Sequence, residues 1–197
     1  MVFDLGGVLI DWDPRYLYRQ LFDDPDEMTE FLGRICTSDW HRAHDLGVDT
    51  TQSCELLARQ HPRYADMIMA WAHRGEEMIR GQIDGTVEIL AELRSTGLPC
   101  FALSNMEPDR YVLRRDRFAF MNWFDGAVIS GIEGVAKPDP QIFEILLERH
   151  ELDPGRTAFI DDSPGNVTVA RDMGINALRF VSPEDLRHDL RGLGLSV

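Results

Sequence analysis

The chain has 197 residues, 44% hydrophobic and 27% charged, with 34 acidic against 20 basic side chains and a formal net charge of -14. That length suits one domain, or one domain carrying an insertion, with ample apolar residues for a packed core. The charge would repel DNA or RNA at long range, because nucleic-acid affinity rests on phosphate neutralisation, whereas a small phosphate ester needs only local positive groups.

The N-terminus, MVFDLGGVLI, has no basic segment ahead of its apolar run and carries a charge inside it, which is wrong for a secretory signal. It reads instead as a buried strand, VFDLG (2–6), that begins almost at Met1. Nowhere does an apolar run reach the roughly 18–20 residues of a membrane helix. Residues 15–83 follow as a long connection rich in helical spacing: RYLYRQLF, DEMTEFLGRI, TTQSCELLARQ and YADMIMAWAHRGEEMI all repeat apolar residues at i, i+3, i+4. Such a connection far exceeds the usual handful of residues, so it is expected to form a four- or five-helix cap inserted into the first crossover. The flanking stretches 1–14 and 84–197 would then form the core domain.

Beyond the insertion, strands and helices alternate. TVEILAELRST (86–96) is a helix that stops at Gly97, and PCFALS (99–104) and GAVIS (126–130) are strands. PDPQIFEILLERH (138–150) starts a helix with prolines in its first turn. TAFID (157–161) and ALRFV (177–181) are strands, each followed by a helical pattern. The strands lack period-two alternation, as expected of a parallel sheet covered on both faces. The predicted fold is an α/β, doubly wound, mostly parallel five-stranded sheet of Rossmann-like type with a small all-α cap. Cys36, Cys54 and Cys100 are scattered without CxxC spacing, so no disulfide or zinc site is expected, and a reducing cytoplasm is the expected compartment.

In an open α/β sheet, ligands bind beyond the carboxyl ends of the strands. Four of the five strands place a polar group there or in the following loop: Asp4, Ser104, Lys137, and the pair Asp161 and Asp162. Singly, each has a structural explanation as a turn former, a helix cap or a solvated loop residue. Together they set a nucleophile-competent carboxylate, a hydroxyl, an ammonium and an acid pair on one sheet edge.

In these motifs, FDLGGVL, LSN, KPDPQIF and IDDSPGN, the chain resembles the haloacid dehalogenase superfamily over residues 1–11 and 85–182. The resemblance implies a hydrolase in which Asp4 attacks phosphorus and forms an aspartyl-phosphate that water then cleaves. It implies Mg²⁺ held by Asp4, the Gly6 carbonyl and Asp162, with Asp161 holding a water of the metal shell or orienting Lys137. Gly6, Gly7, Ser104, Asn105 and Lys137 would bind the phosphoryl group, with Lys137 also keeping Asp4 ionised. The implied substrate is a small phosphorylated metabolite, a class that includes sugar phosphates.

One departure bears on mechanism. Most phosphatases of this superfamily carry a second Asp two residues after the nucleophile, which protonates the leaving alkoxide; here that position is Gly6. Asp11 is the candidate substitute, with Asp13 and the cap residues His41 and His44 as further candidates. A 2-haloacid dehalogenase would not need the acid, since halide leaves unprotonated. It would, however, gather carboxylates at Asp161 and Asp162 without a cation, so the acid pair favours phosphoryl transfer. A binding domain that keeps the fold but little activity is the third reading, supported by Gly6 alone. Trp12, Trp40, Trp71 and Trp123 read as core or pocket aromatics. Arg110–Arg117 reads as a solvated helix face, Arg15 and Arg42 as substrate contacts at the cap entrance, and His61, His73, His150 and His188 as surface residues.

Overall fold

The computed structural model describes residues 1–197. Val2–Phe3 form β1 at the centre of the sheet, and Ile10–Trp12 form β2 just beyond a tight turn. Helices α1 (Arg15–Tyr18), α2 (Pro25–Arg34), α3 (Ser38–Asp45), α4 (Thr50–Gln60) and α5 (Ala65–His73) then make up the insertion. Side-chain caps start three of them. Asp24, Thr37 and Asp49 accept from the backbone N–H groups of Asp26, Trp40 and Gln52. The apolar faces of these helices close on one another around Leu17, Tyr18, Phe31, Ile68 and Trp71.

The chain returns through β3 (Ile79–Gln82) to α6 (Asp84–Ser95), β4 (Phe101–Ser104), α7 (Pro108–Arg117), β5 (Gly126–Ile129) and the short α8 (Ser130–Glu133). It ends with α9 (Pro140–Arg149), β6 (Ala158–Asp161), α10 (Pro164–Asp172), β7 (Asn176–Arg179) and α11 (Pro183–Gly192). The main sheet is wholly parallel in the order β5-β4-β1-β6-β7. Successive residues of its strands serve opposite faces. Val2, Phe101, Leu103 and Phe159 pack against α9 and α10, while Phe3, Ala102 and Ile160 pack with residues of α6 and α11. The expected doubly wound α/β sheet is therefore present, with both faces buried. The three cysteines are buried and unbridged, and no helix is long and apolar enough to cross a membrane.

One element departs from expectation. Helical spacing suggests that the YADMIMAWAHRGEEMI stretch is a helix to its end, but α5 stops at His73 and Ile79–Gln82 is a strand. It pairs antiparallel with β2, so the segments that lead into α1 and out of α5 are zipped together. Partners so distant in sequence leave no local periodic signal.

Candidate functional site

Strand order reverses on either side of β1: β4 and β5 lie to one side, β6 and β7 to the other. The crevice between β1 and β6 is the place where such a sheet binds ligands. A cavity of about 330 Å³ opens there, lined by Asp4, Gly6, Gly7, Ser104, Asn105, Lys137 and Asp162 from the core.

Asp4 prolongs β1, its N–H donating to the Ile160 carbonyl at 2.9 Å. The chain then doubles back: Ile10 N–H reaches the Leu5 carbonyl at 2.8 Å, and Gly7 takes a left-handed φ of 73°. Gly7 serves a second purpose, because a Cβ there would stand 2.6 Å from Asp162 Oδ2. Only a glycine lets the Asp162 carboxylate close onto the Asp4 loop.

Lys137 is the electrostatic centre. Its ammonium lies 3.0 Å from Asp4 Oδ1 and 2.6 Å from Asp161 Oδ2, and donates to the Leu103 carbonyl at 2.8 Å. The sequence around it forces a loop. Pro138 and Pro140 flank Asp139, α9 starts with Pro140 at its first position, and Asp139 caps it by accepting from Gln141 N–H. Asn105 clasps the same loop, donating to the Lys137 carbonyl at 2.9 Å and accepting from the Lys137 N–H at 2.8 Å. Burial disfavours the ammonium, but Asp4 and Asp161 outweigh it and hold the Lys137 pKa above its ordinary value.

Asp161 is fully buried and saturated. It accepts from Ser163 N–H at 2.9 Å and from the Asn166 amide at 2.9 and 3.0 Å, besides Lys137. The first turn of α10 thus wraps it. Asn166 stands within IDDSPGN, but sequence reasoning assigned it no role. Ser104 is buried at the end of β4 with its hydroxyl bonded to no protein group, and it lines the cavity.

The donor set suits a hard divalent cation. Carboxylate oxygens of Asp4, Asp161 and Asp162 all lie within 4.8 Å of one another. Against them stands one ammonium, already shared by two of the three. Burial pushes the Asp4 carboxyl up to about 8; Lys137 opposes this, and Asp161 and Asp162 add to it. A carboxyl so placed needs further positive charge to stay ionised. Because Asp161 has no free oxygen, Asp4 and Asp162 are the carboxylates able to face an ion.

Several expected residues lie elsewhere. Asp11, the candidate proton donor, is in β2 and does not line the cavity; its carboxylate accepts from the Tyr16 hydroxyl at 2.8 Å. Asp13 is committed to Arg15 at 2.6 Å, so neither residue faces the site, and Arg42 does not line it either. The strand pairing of β2 decides this, since it directs Asp11 by register rather than by nearness to Asp4 in sequence. His61, His73, His150 and His188 are likewise outside the lining.

Trp12, at the end of β2, lines the cavity together with His41 and Asp45 from α3. Trp12 and His41 stack at 5.3 Å, and burial holds the His41 pKa down to about 4. From α7 and its entry come Glu107, Arg110 and Arg114. Arg115 keeps to the exposed face expected of this helix, bonded to Asn122, but Arg114 is buried and its Nε has no partner. The periodicity of α7 could have marked Arg114 as lying on a different face from Arg115. Nothing in the sequence marked Asp45.

Comparison with known proteins accords with this geometry. The family model for haloacid dehalogenase-like hydrolases matches residues 1–174. A sesquiterpene phosphatase of Aspergillus oryzae is 27% identical over 194 residues, covering 98% of this chain and 94% of that protein. A phosphorylated carbohydrates phosphatase of Thermotoga maritima is 26% identical over 185 residues, covering 90% of this chain and 82% of the relative. Among solved structures, a protein of Bacteroides thetaiotaomicron in complex with magnesium and inorganic phosphate superposes with a TM-score of 0.70 at 22% identity, covering 95% of this chain and 96% of that one.

Proposed function

We infer that this chain, which belongs to the haloacid dehalogenase-like hydrolases, is a magnesium-dependent phosphatase of small phosphorylated metabolites, with Asp4 as its nucleophile. The observation that carries this reading is the Lys137 ammonium bridging Asp4 at 3.0 Å and Asp161 at 2.6 Å, with Asp162 beside them. Three carboxylates around one ammonium make sense when a cation and a phosphoryl group enter together. The phosphatase names of the relatives from Aspergillus oryzae and Thermotoga maritima point the same way.

In this reading Asp4, the Gly6 carbonyl and Asp162 would hold Mg²⁺, which would supply the positive charge that two approaching anions require. Asp4 attacks phosphorus in line, and an aspartyl-phosphate forms as the ester oxygen leaves. Ser104, the Asn105 backbone N–H and Lys137 donate to the transferring phosphoryl oxygens. Asp161 does not react; it holds Lys137 in place. Gly7 admits Asp162 to the Asp4 loop. Residues 15–83 act as a cap over the core made by 1–14 and 84–197, excluding water and shaping the pocket for the alcohol part.

The dehalogenase alternative would leave Asp162 at the nucleophile with no cation to face, so phosphoryl transfer is the better account. The test is phosphate release from a panel of small esters, with and without chelator. Magnesium-dependent release that disappears in Asp4→Asn is expected. Metal-independent chloride release from a 2-chloroacid, with no phosphate release, would overturn it.

A further inference from the structure

The position that would carry the proton donor is empty of side chain. A Cβ at Gly6 would meet nothing within 4 Å, so no neighbouring group has filled the space. A side chain that could give the proton has then to be sought on another wall of the same cavity. Apart from Asp4 and Asp162, two carboxylic acids line it: Glu107, just ahead of α7, and Asp45, the last residue of α3.

Asp45 is the more enclosed, its side chain only 14% exposed. Its backbone is pinned to the phosphate end of the site through Ser130. That hydroxyl donates to the Asp45 carbonyl and accepts from the Met106 N–H at 2.9 Å, two residues beyond Ser104. Gly47 completes the contact, since a Cβ there would stand 3.2 Å from the Gly131 carbonyl. The end of α3 is therefore docked where the insertion meets the loop after β4.

The Asp45 carboxyl itself has no hydrogen-bond donor in the protein. Its nearest basic atom is His41 Nε2 at 3.8 Å, on a ring that burial keeps neutral. A carboxyl enclosed without donors favours its protonated form. Burial and then Glu107 push Asp45 up to about 7, against the opposing charges of Arg114, Lys137 and Arg42. That is the range in which one group can both give and take a proton near neutrality.

We propose that Asp45 is the general acid and base of the reaction, supplied by the insertion in place of the side chain that Gly6 lacks. This rests on the phosphatase reading. As Asp4 bonds to phosphorus and the phosphorus–ester oxygen bond breaks, the leaving oxygen takes the Asp45 proton and departs as the alcohol. The resulting Asp45 carboxylate then takes a proton from water, whose oxygen attacks the aspartyl-phosphate. The Asp4–phosphorus bond breaks, releasing inorganic phosphate and restoring the Asp4 carboxylate and the Asp45 acid.

The experiment compares Asp45→Asn with the parent enzyme on an alkyl phosphate and on p-nitrophenyl phosphate, whose leaving group needs no proton. The kcat/KM for the alkyl ester should fall by about 10²- to 10⁴-fold, the usual worth of a general acid. That for the aryl ester should change by less than about tenfold, which also reports that the variant is folded. Rapid quench with the aryl ester should trap phosphorylated Asp4 in the variant, because the second step has lost its base. Infrared spectra of the metal-free proteins should show one protonated carboxyl fewer in the variant. Equal losses on both esters, or no loss on either, in an active parent would overturn the assignment of Asp45 alone. A parent enzyme inactive on every ester would overturn the phosphatase reading, and the assignment with it.

Discussion

Gly7 and Asp162 are in contact through an absent side chain: a Cβ on Gly7 would lie 2.6 Å from Asp162 Oδ2, and the Gly7 backbone already has φ 73°. Two residues 155 positions apart are thereby tied to one geometry. Gly7→Ala adds both a clash and a left-handed alanine, which costs about 1 kcal/mol or more. Because the clash falls on a carboxylate proposed to face the cation, magnesium binding should weaken by tenfold or so, about 1.4 kcal/mol. Calorimetric titration of the variant with magnesium checks this; an unchanged affinity would dissociate Asp162 from the metal.

Lys137 neutralises two buried carboxylates, so its removal should be felt by the whole fold. Its side chain is 1% exposed, and those of Asp4 and Asp161 are 11% and 0%. Lys137→Met leaves both acids unpaired and should destabilise by about 3–5 kcal/mol, as breaking buried ion pairs does. The deficit should shrink as pH falls, since burial already pushes the Asp4 carboxyl up and its protonation removes an uncompensated charge. Urea melts across a pH series measure both the loss and its recovery.

Arg114 has the opposite problem, a buried cation with no carboxylate in contact. It lines the cavity, its Nε lacks a partner, and burial holds its pKa below the ordinary value. Substrate oxygens would supply the missing bonds. Arg114→Met should raise KM by about 10- to 100-fold, the worth of a charge-assisted hydrogen bond, with kcat little changed. Because nothing in the protein depends on that guanidinium for pairing, the thermal midpoint should hold or rise. A fall in kcat with KM unmoved would place Arg114 at the reacting centre instead.

His44 should make the protein sensitive to acid. It is fully buried against Trp40, neither ring nitrogen has a partner, and burial holds its pKa down to about 4 from 6.5. Between those two values the unfolded chain binds a proton that the folded chain refuses. The contribution to stability is whole above about pH 6.5 and is lost as pH falls toward about 4. For one such group this amounts to about 2 kcal/mol between pH 7 and pH 5. His44→Phe keeps an aromatic ring beside Trp40 and should flatten that slope, as denaturant melts at the two pH values would show.

The sheet and the polar groups along its carboxyl edge were legible in the amino-acid sequence. Ser104 and Asp161 end short apolar strands, Asp4 and Asp162 directly follow one, and Lys137 precedes a helix that Asp139 and Pro140 start locally. Local rules place such residues at carboxyl ends, and a parallel sheet gathers all its carboxyl ends on one edge. The tertiary structure alone decided the rest of the cavity. Asp11 is near Asp4 in sequence, but the register of β2 against β3 carries it to Tyr16. Asp45 is 41 residues from Asp4, yet the Ser130 clasp brings it to the cavity. Helical spacing says which side of α3 is apolar. It cannot say where that helix docks, because docking depends on contacts such as Gly47 with Gly131 between segments far apart in the chain.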